Sequence, residues 1–396
     1  MQSDAGDSIL VACVGGRVLV NGTHPDTGPL ECSRANRLDV KGGPGDNRID
    51  LGGISPAQTL GVYKGVSAFA SVDGDAGDDA IIGPAGGLVT ITGGPGSDYM
   101  QGGSYDTYVF RAAGAPEHDT IVERADERCS PSYYETDRLN VSYWTVPWDA
   151  LDFRALEADD PVTVDQPARE GVLAVHRNRI ISVTGTDFGT RFEAIAGGAG
   201  DDRIGRGCMM LGHAGADVLS GGPAGDLLSG GAGDDRLLGS YGPDELYGGT
   251  GADTIDGGKD ADALEGGPGD DVLRGQQAGD TYRFDRLGGL QADVVGEAAG
   301  AGVDVLSFDL AAGVPVAVDL SRPLLARARD VSVRAEHGAW RFVEGVIGGK
   351  GNDRMTGNAG RNHFWSGGGV DLVAGGRGSD RYHVDWADSM PDAAYD

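Results

Sequence analysis

Eight aspartates stand nine residues apart with nothing inserted or lost between them: Asp217, Asp226, Asp235, Asp244, Asp253, Asp262, Asp271 and Asp280. Carboxylates on a fixed period can do acid–base work or hold a hard cation. Each lies sixth in a nine-residue unit that begins with glycine and has an apolar or aromatic residue eighth. The eighth places are Leu219, Leu228, Leu237, Leu246, Ile255, Leu264, Leu273 and Tyr282. One further unit, GGAGDDRIG from Gly197, brings Asp202; the short link Arg206 to Leu211 then reads as a distorted half-turn.

Two less regular arrays flank this run. The first has units from Gly42, Gly74, Gly93 and Gly102, with Asp79, Asp98 and Asp106 as donors. The last has units from Gly348, Gly357, Ser366 and Gly375, with Asp353, Asp371 and Asp380. Asn47 and Asn362 put neutral oxygens at the sixth place, and Leu88 lies near another, so sites there should be weak or missing. Each array closes on a tyrosine phrase: DTYVF at Asp106, DTYRF at Asp280 and DRYHV at Asp380.

The elements that must position these donors follow from the period. Nine residues are too few for a self-paired hairpin but suit half of a flattened coil, a tight turn followed by a short strand. Glycines permit positive φ and close backbone approach in the turn. The eighth side chain points inward and stacks into a thin core. Successive turns alternate between two edges, so units two apart share an edge. Asp217, Asp235, Asp253 and Asp271 then form one column, and Asp226, Asp244, Asp262 and Asp280 the other. Carboxylates roughly 4.8 Å apart in such a column repel by several kcal/mol per pair at an effective dielectric near 20. A divalent cation between turns reverses the sign. Carboxylate and turn carbonyl oxygens match the six or more oxygen ligands of calcium. Zinc would require histidine or cysteine, absent from both columns.

These units resemble the repeats-in-toxin (RTX) family, whose consensus is GGxGxDxUx with U a large apolar residue. The resemblance covers about half the chain. It implies an all-β, right-handed parallel β-roll with calcium ions between stacked turns, about six in the central block from the gaps 217/235, 235/253, 253/271, 226/244, 244/262 and 262/280. The expected organisation is an N-terminal β cap (1–41), a first roll block (42–110), a β-rich spacer (111–196), the central block (197–284), a second spacer (285–347), a third block (348–384) and a tail (385–396). The spacers look like products of duplication: Arg191-Phe-Glu-Ala-Ile-Ala-Gly-Gly matches Arg341-Phe-Val-Glu-Gly-Val-Ile-Gly-Gly apart from one inserted residue.

Composition agrees with this reading. The net charge is -29 and the pI about 4.4, which disfavours nucleic acid and anionic membrane and favours cations. The 70 glycines are explained by the period rather than by disorder. No apolar run approaches the roughly 18 residues a membrane span needs. Residues 1–16 lack the basic region of a signal peptide, so the expectation is a secreted, extracellular protein whose export signal lies elsewhere or has been removed. Of the four cysteines, Cys13 and Cys32 flank a strand-turn-strand pattern and should pair; Cys208, in an irregular link, is a candidate free thiol.

Catalysis finds little support. HExxH and GxSxG are absent, and the histidines, including His213 and His363 inside repeats, read as surface residues. The first spacer gathers Tyr133, Tyr134, Tyr143, Trp144 and Trp148 near Glu135, Asp137, Asp149 and Asp152. Such a cluster suits either a polysaccharide or cell-surface ligand or, as the preferred reading, the core of a small β-domain. Its carboxylates also raise glycoside hydrolysis as an alternative. The expectation is a non-enzymatic, calcium-folded structural or surface-interaction protein. The alternative is a calcium-folded module of a larger extracellular enzyme or toxin.

Overall fold

The computed structural model describes residues 8–22, 29–32, 38–54, 70–84, 89–103, 106–111, 115–122, 150–156, 162–164, 171–176, 179–183, 194–205, 208–284, 291–297, 302–309, 313–328, 331–336, 338–383 and 393–395. The chain divides into two compact units, residues 1–210 and 211–396. Both are all-β, with no α-helix among the described residues.

In residues 211–396 each nine-residue unit is a half-coil, and its strand joins one of two parallel sheets alternately. One sheet stacks Val218–Ser220, Arg236–Ser240, Thr254–Gly258 and Val272–Gln276. The other stacks Leu227–Ala232, Glu245–Thr250, Ala263–Glu265 and Thr281–Arg283. The register places Leu219 on Leu237 and Leu228 on Leu246. This is the parallel β-roll expected from the period.

All eight eighth-place side chains, Leu219 to Tyr282, are fully buried. The core is therefore one side chain thick per half-coil, a small apolar gain against the entropy of ordering nine residues. The turns reverse direction through positive φ at the second and fourth places, as at Gly249 (φ 116°) and Gly251 (φ 131°). A side chain at Gly249 would also overlap the carbonyl oxygen of Gly231 in the preceding coil.

The sheets carry on through the second spacer. Gln291–Gly296 pairs on Val272–Gln276, and Val305–Ser307 on Thr281–Arg283. A meander follows in the first sheet. Val331–Ala335 lies parallel to Gln291–Gly296, Leu324–Ala328 antiparallel to it, Val316–Asp319 antiparallel again, and Arg354–Thr356 parallel to Val316–Asp319. Gly345–Ile347 links Val305–Ser307 to His363–Trp365 in the second sheet. The third array then resumes the regular stack.

Residues 1–210 repeat this plan. Arg48–Gly53, Ala80–Ile82, Tyr99–Gln101 and Glu117–Val122 stack in one sheet. Leu38–Pro44, Ala70–Ala76, Val89–Thr92, Asp106–Val109, Ala150–Asp152 and Ala194–Ala196 stack in the other. Glu117–Val122 is followed by Arg179–Val183 (parallel), Gly171–His176 and Val162–Val164 (both antiparallel) and Arg203–Gly205 (parallel). The order and sense are those of the meander at residues 316–356. Phe110 stacks on Phe153 at 4.9 Å, and Phe284 stacks on Phe308 at 5.3 Å, so that in each unit the phenylalanine that ends the tyrosine phrase is stacked. The topology thus agrees with the duplication read from the spacer phrases.

At the N-terminus Ser8–Val14 and Arg17–Val20 form a hairpin to which Leu30–Glu31 adds. Ser8–Val14 also lies parallel on Arg48–Gly53, covering an edge that would otherwise offer free backbone groups. The Cys13–Cys32 disulfide ties the hairpin, as expected. Cys208 is a correction: it is disulfide-bonded, and no cysteine among the described residues is free. An irregular link said nothing of what the buried Cys208 could reach in space.

Candidate metal centres

The sixth-place aspartates form the two expected columns. In one, the backbone N–H of Asp217 donates to Oδ1 of Asp235, that of Asp235 to Asp253 and that of Asp253 to Asp271, at 2.8, 2.8 and 2.9 Å. In the other, Asp226, Asp244 and Asp262 donate in the same way to Asp244, Asp262 and Asp280, at 2.7, 2.8 and 2.9 Å. Every one of these residues is buried.

One carboxylate oxygen of six of them, all but Asp217 and Asp226, is engaged in this ladder, which leaves the other to explain. Oδ2 of Asp79, Asp235, Asp244, Asp253, Asp262, Asp271 and Asp280 is buried and accepts no hydrogen bond. Burial of these groups pushes their pKa values up from 3.8, helped by neighbouring carboxylates. Asp244 reaches about 9, Asp262 about 8, and Asp235, Asp271 and Asp280 about 7, while Asp253 and Asp79 reach about 6. A row of buried, unbonded carboxylate oxygens is costly without a cation.

Two observations show that the turns fit one. A side-chain carbon at Gly248 would overlap Asp253 Oδ2 and lie 2.6 Å from the Gly266 carbonyl oxygen of the next coil. At Gly221 the corresponding distances, to Asp226 Oδ2 and to the Gly239 carbonyl oxygen, are both 2.5 Å. The first glycine leaves room for oxygens of two coils to converge.

The second observation is Asn47. Its Nδ2 donates to the carbonyl oxygens of Gly43 (2.8 Å), Gly45 (2.5 Å) and Gly74 (3.3 Å) and to Asp79 Oδ1 (3.1 Å). The amide nitrogen fills the space and marks the oxygens around it: the second and fourth carbonyls of its own turn, the first carbonyl of the next coil, and that coil's aspartate. Asn362 has a different set of partners: its Nδ2 donates at 3.3 Å to the Glu344 carbonyl of the coil before and to Asn358 Oδ1. An all-oxygen, anionic set of this kind suits calcium better than zinc or magnesium.

The remaining predicted donors divide by what their second oxygen does. Oδ2 of Asp106, Asp202, Asp226 and Asp353 accepts the N–H of the second residue in its own turn: Gly103, Gly198, Gly222 and Gly349. Those turns point a proton at the carboxylate. Oδ1 of Asp106, Asp202 and Asp353 accepts an N–H from the coil before, that of Val89, Val162 and Val316. Asp98 and Asp371 are buried in ladder positions, bonded by the N–H of Asp79 and Asp353. Asp380 accepts the N–H of Asn362 and is half-buried. Leu88 lies outside the described residues.

Sequence periodicity missed four carboxylates. The N–H of Asp271 donates to Asp293 (3.2 Å), that of Asp280 to Asp304 (2.8 Å), that of Asp304 to Glu344 (3.1 Å), and that of Asp98 to Asp119 (3.0 Å). Both columns thus run on into the spacers. The available signal was an acid two places before an apolar residue, as in Asp293-Val-Val, Asp304-Val-Leu and Asp119-Thr-Ile, without a glycine turn at nine-residue spacing.

The aromatic cluster at residues 133–148, with Glu135, Asp137 and Asp149, lies outside the described residues. Asp152, its last member, is buried and held by both Nε and Nη2 of Arg154 at 2.9 and 2.8 Å, a structural pairing. His213 stands in a turn at positive φ, and His363 is half-buried, its ring stacked on Trp365.

A profile of the RTX calcium-binding nonapeptide repeat matches residues 211–240, 238–273 and 347–382. These segments hold the ladder from Asp217 to Asp271 and that of the third array. No curated protein matches the chain in a sequence search.

Proposed function

We propose that this chain, which carries RTX calcium-binding nonapeptide repeats and so binds calcium, is a secreted protein whose roll folds only when extracellular calcium fills the gaps between its turns. The observation that carries this reading is the row of buried aspartate Oδ2 atoms that nothing in the protein satisfies. Six gaps of the central array and its continuation begin at such an atom: 235/253, 253/271 and 271/293 in one column, 244/262, 262/280 and 280/304 in the other. Asp217, Asp98, Asp79, Asp371 and Asp380 line further gaps. Those of Asp106, Asp202, Asp226 and Asp353, where a backbone N–H occupies the carboxylate, hold the ion less tightly.

Because the ligands converge only in the coiled state, calcium stabilises the fold by mass action. In low calcium the like charges keep the chain open and fit for export. Two further features support an extracellular setting. The disulfides at Cys13–Cys32 and at Cys208 belong in an oxidising compartment. No helix among the described residues is long and apolar enough to cross a membrane.

Once folded, the protein serves as a structural or surface-interaction element; a calcium-assembled module of a larger extracellular enzyme or toxin is the second reading. Trp144 and Trp148 are the residues to change in a search for a polysaccharide ligand. Circular dichroism and melting with calcium and with EGTA test the central claim. At about pH 8 the β signal should vanish in chelator and return on calcium addition; an unchanged spectrum and melting temperature reject it. Hydrogen exchange across a calcium titration should show residues 212–283 as the last to open.

A further inference from the structure

We propose that Asp280, Glu297 and Asp304 form a three-carboxylate calcium site that closes the central array and ties the following insertion to it. The proposal rests on the calcium reading above. It concerns a site whose third acid comes from outside the nonapeptide units.

Carboxylate oxygens of the three residues lie within 4.8 Å of one another. Asp280 is fully buried, and its Oδ2 has no hydrogen-bond partner. That atom lies beside Gly275, where a side-chain carbon would overlap it. The pairing of Arg274 with Gly296 puts the next residue, Glu297, opposite Gly275. One coil earlier, the pairing of Asp256 with Arg274 puts a glycine, Gly257, opposite Gly275. At the end of the array a glutamate thus replaces the first glycine, and a side-chain acid joins the place where other coils present a backbone carbonyl.

Tyr282 holds this arrangement. Its hydroxyl accepts the N–H of Gly275 at 2.8 Å and donates to the Glu297 carboxylate, with the Gly296 carbonyl at 3.2 Å. Asp304 Oδ1 accepts the N–H of Asp280 at 2.8 Å. Three acids this close repel strongly in a buried setting unless a cation sits among them. The third carboxylate sets this gap apart from ladder gaps such as 235/253 and 244/262, which two aspartates line.

The pattern recurs in the sequence wherever a tyrosine phrase ends an array. Val122 pairs with Gln101, and the residue after it is Glu123. Tyr395 pairs with Ala374, and the residue after it is Asp396. In the third array the Tyr382 hydroxyl accepts the N–H of Gly375 at 3.1 Å, as Tyr282 does with Gly275. Glu123 and Asp396 themselves lie outside the described residues.

The test uses the full chain with calcium, and with terbium as a luminescent substitute excited through tyrosine. Glu297→Gln should lose one calcium ion per chain by calorimetry and lower the sensitised terbium emission, with the ladder gaps still filled. Tyr282→Phe should keep the ion but lose the same part of the emission. An unchanged ion count in folded Glu297→Gln overturns the proposal. If that variant fails to fold at saturating calcium, Tyr282→Phe decides alone: unchanged emission overturns the site, and lost emission at constant ion count supports it. A wild-type chain that binds no calcium would instead remove the parent reading.

Discussion

The turn that ends at Asn47 and the turn that ends at Asp253 enclose equivalent oxygens and fill the space between them in opposite ways. In the first, an amide nitrogen donates to three carbonyls and the neighbouring aspartate, so the turn is complete in itself. In the second, a carboxylate oxygen points into the space and finds no donor. A single change from nitrogen to oxygen converts a self-sufficient coil into one that needs a cation. The central array has aspartate at every sixth place, whereas the first and third arrays each contain one asparagine coil.

The largest effect that would sharpen this contrast is one of pH, because many carboxylates act together. In calcium-free protein the folded pKa values of Asp253, Asp235, Asp271, Asp280, Asp262 and Asp244 run from about 6 to about 9, against 3.8 as the ordinary value. Protonation therefore stabilises the calcium-free roll. That contribution is complete below about pH 4 and is lost as the pH rises through about 6 to 9. In chelator, circular dichroism should show more roll formed at about pH 5 than at about pH 8, and calcium affinity should run the other way. A calcium-free stability that rises with pH over this range would break the argument.

A smaller effect comes from exchanging the two side chains. Asp253→Asn should remove at least one calcium, lower the cooperativity of binding, and make the calcium-free roll easier to fold. Asn47→Asp should add one ion and, in chelator, destabilise its coil by about 1–3 kcal/mol, the cost of leaving a buried group unsatisfied. Calorimetric ion counts and urea unfolding read both. If the two variants shift the ion count in the same direction, the equivalence of the coils is wrong.

Smaller again is the backbone contribution. Gly249→Ala places a side chain at φ 116° and against the Gly231 carbonyl, and should cost about 1–3 kcal/mol with or without calcium. Gln276 occupies the same place in its own turn at φ 80°, so Gln276→Ala should cost less. Thermal melting of the two variants in saturating calcium gives the difference.

Much of this is legible in the sequence. The nine-residue spacing of Asp217 to Asp280 predicted two columns, and the N–H to Oδ1 ladder runs along both. Asn47 and Asn362 stood out as departures on residue type alone. Asp293, Asp304, Asp119 and Glu344 did not, because the register of a parallel sheet is held by backbone bonds between coils. A connection of any length can intervene without disturbing it. A period in the sequence detects only coils of equal length.

What the sequence by itself determined is the coil, its buried eighth residue and the placing of one acid per turn, since each depends on residue type at a fixed local offset. What only the tertiary structure decided is which acids remain open. Asp226 and Asp244 hold the same sixth place in their units, yet the Gly222 N–H bonds Asp226 Oδ2 while Asp244 Oδ2 meets nothing. The path of each turn over its neighbour determines whether a proton or an empty space faces the carboxylate. Likewise, only the stacking of coils brings Glu297, seventeen places after Asp280 in the chain, back against that same carboxylate.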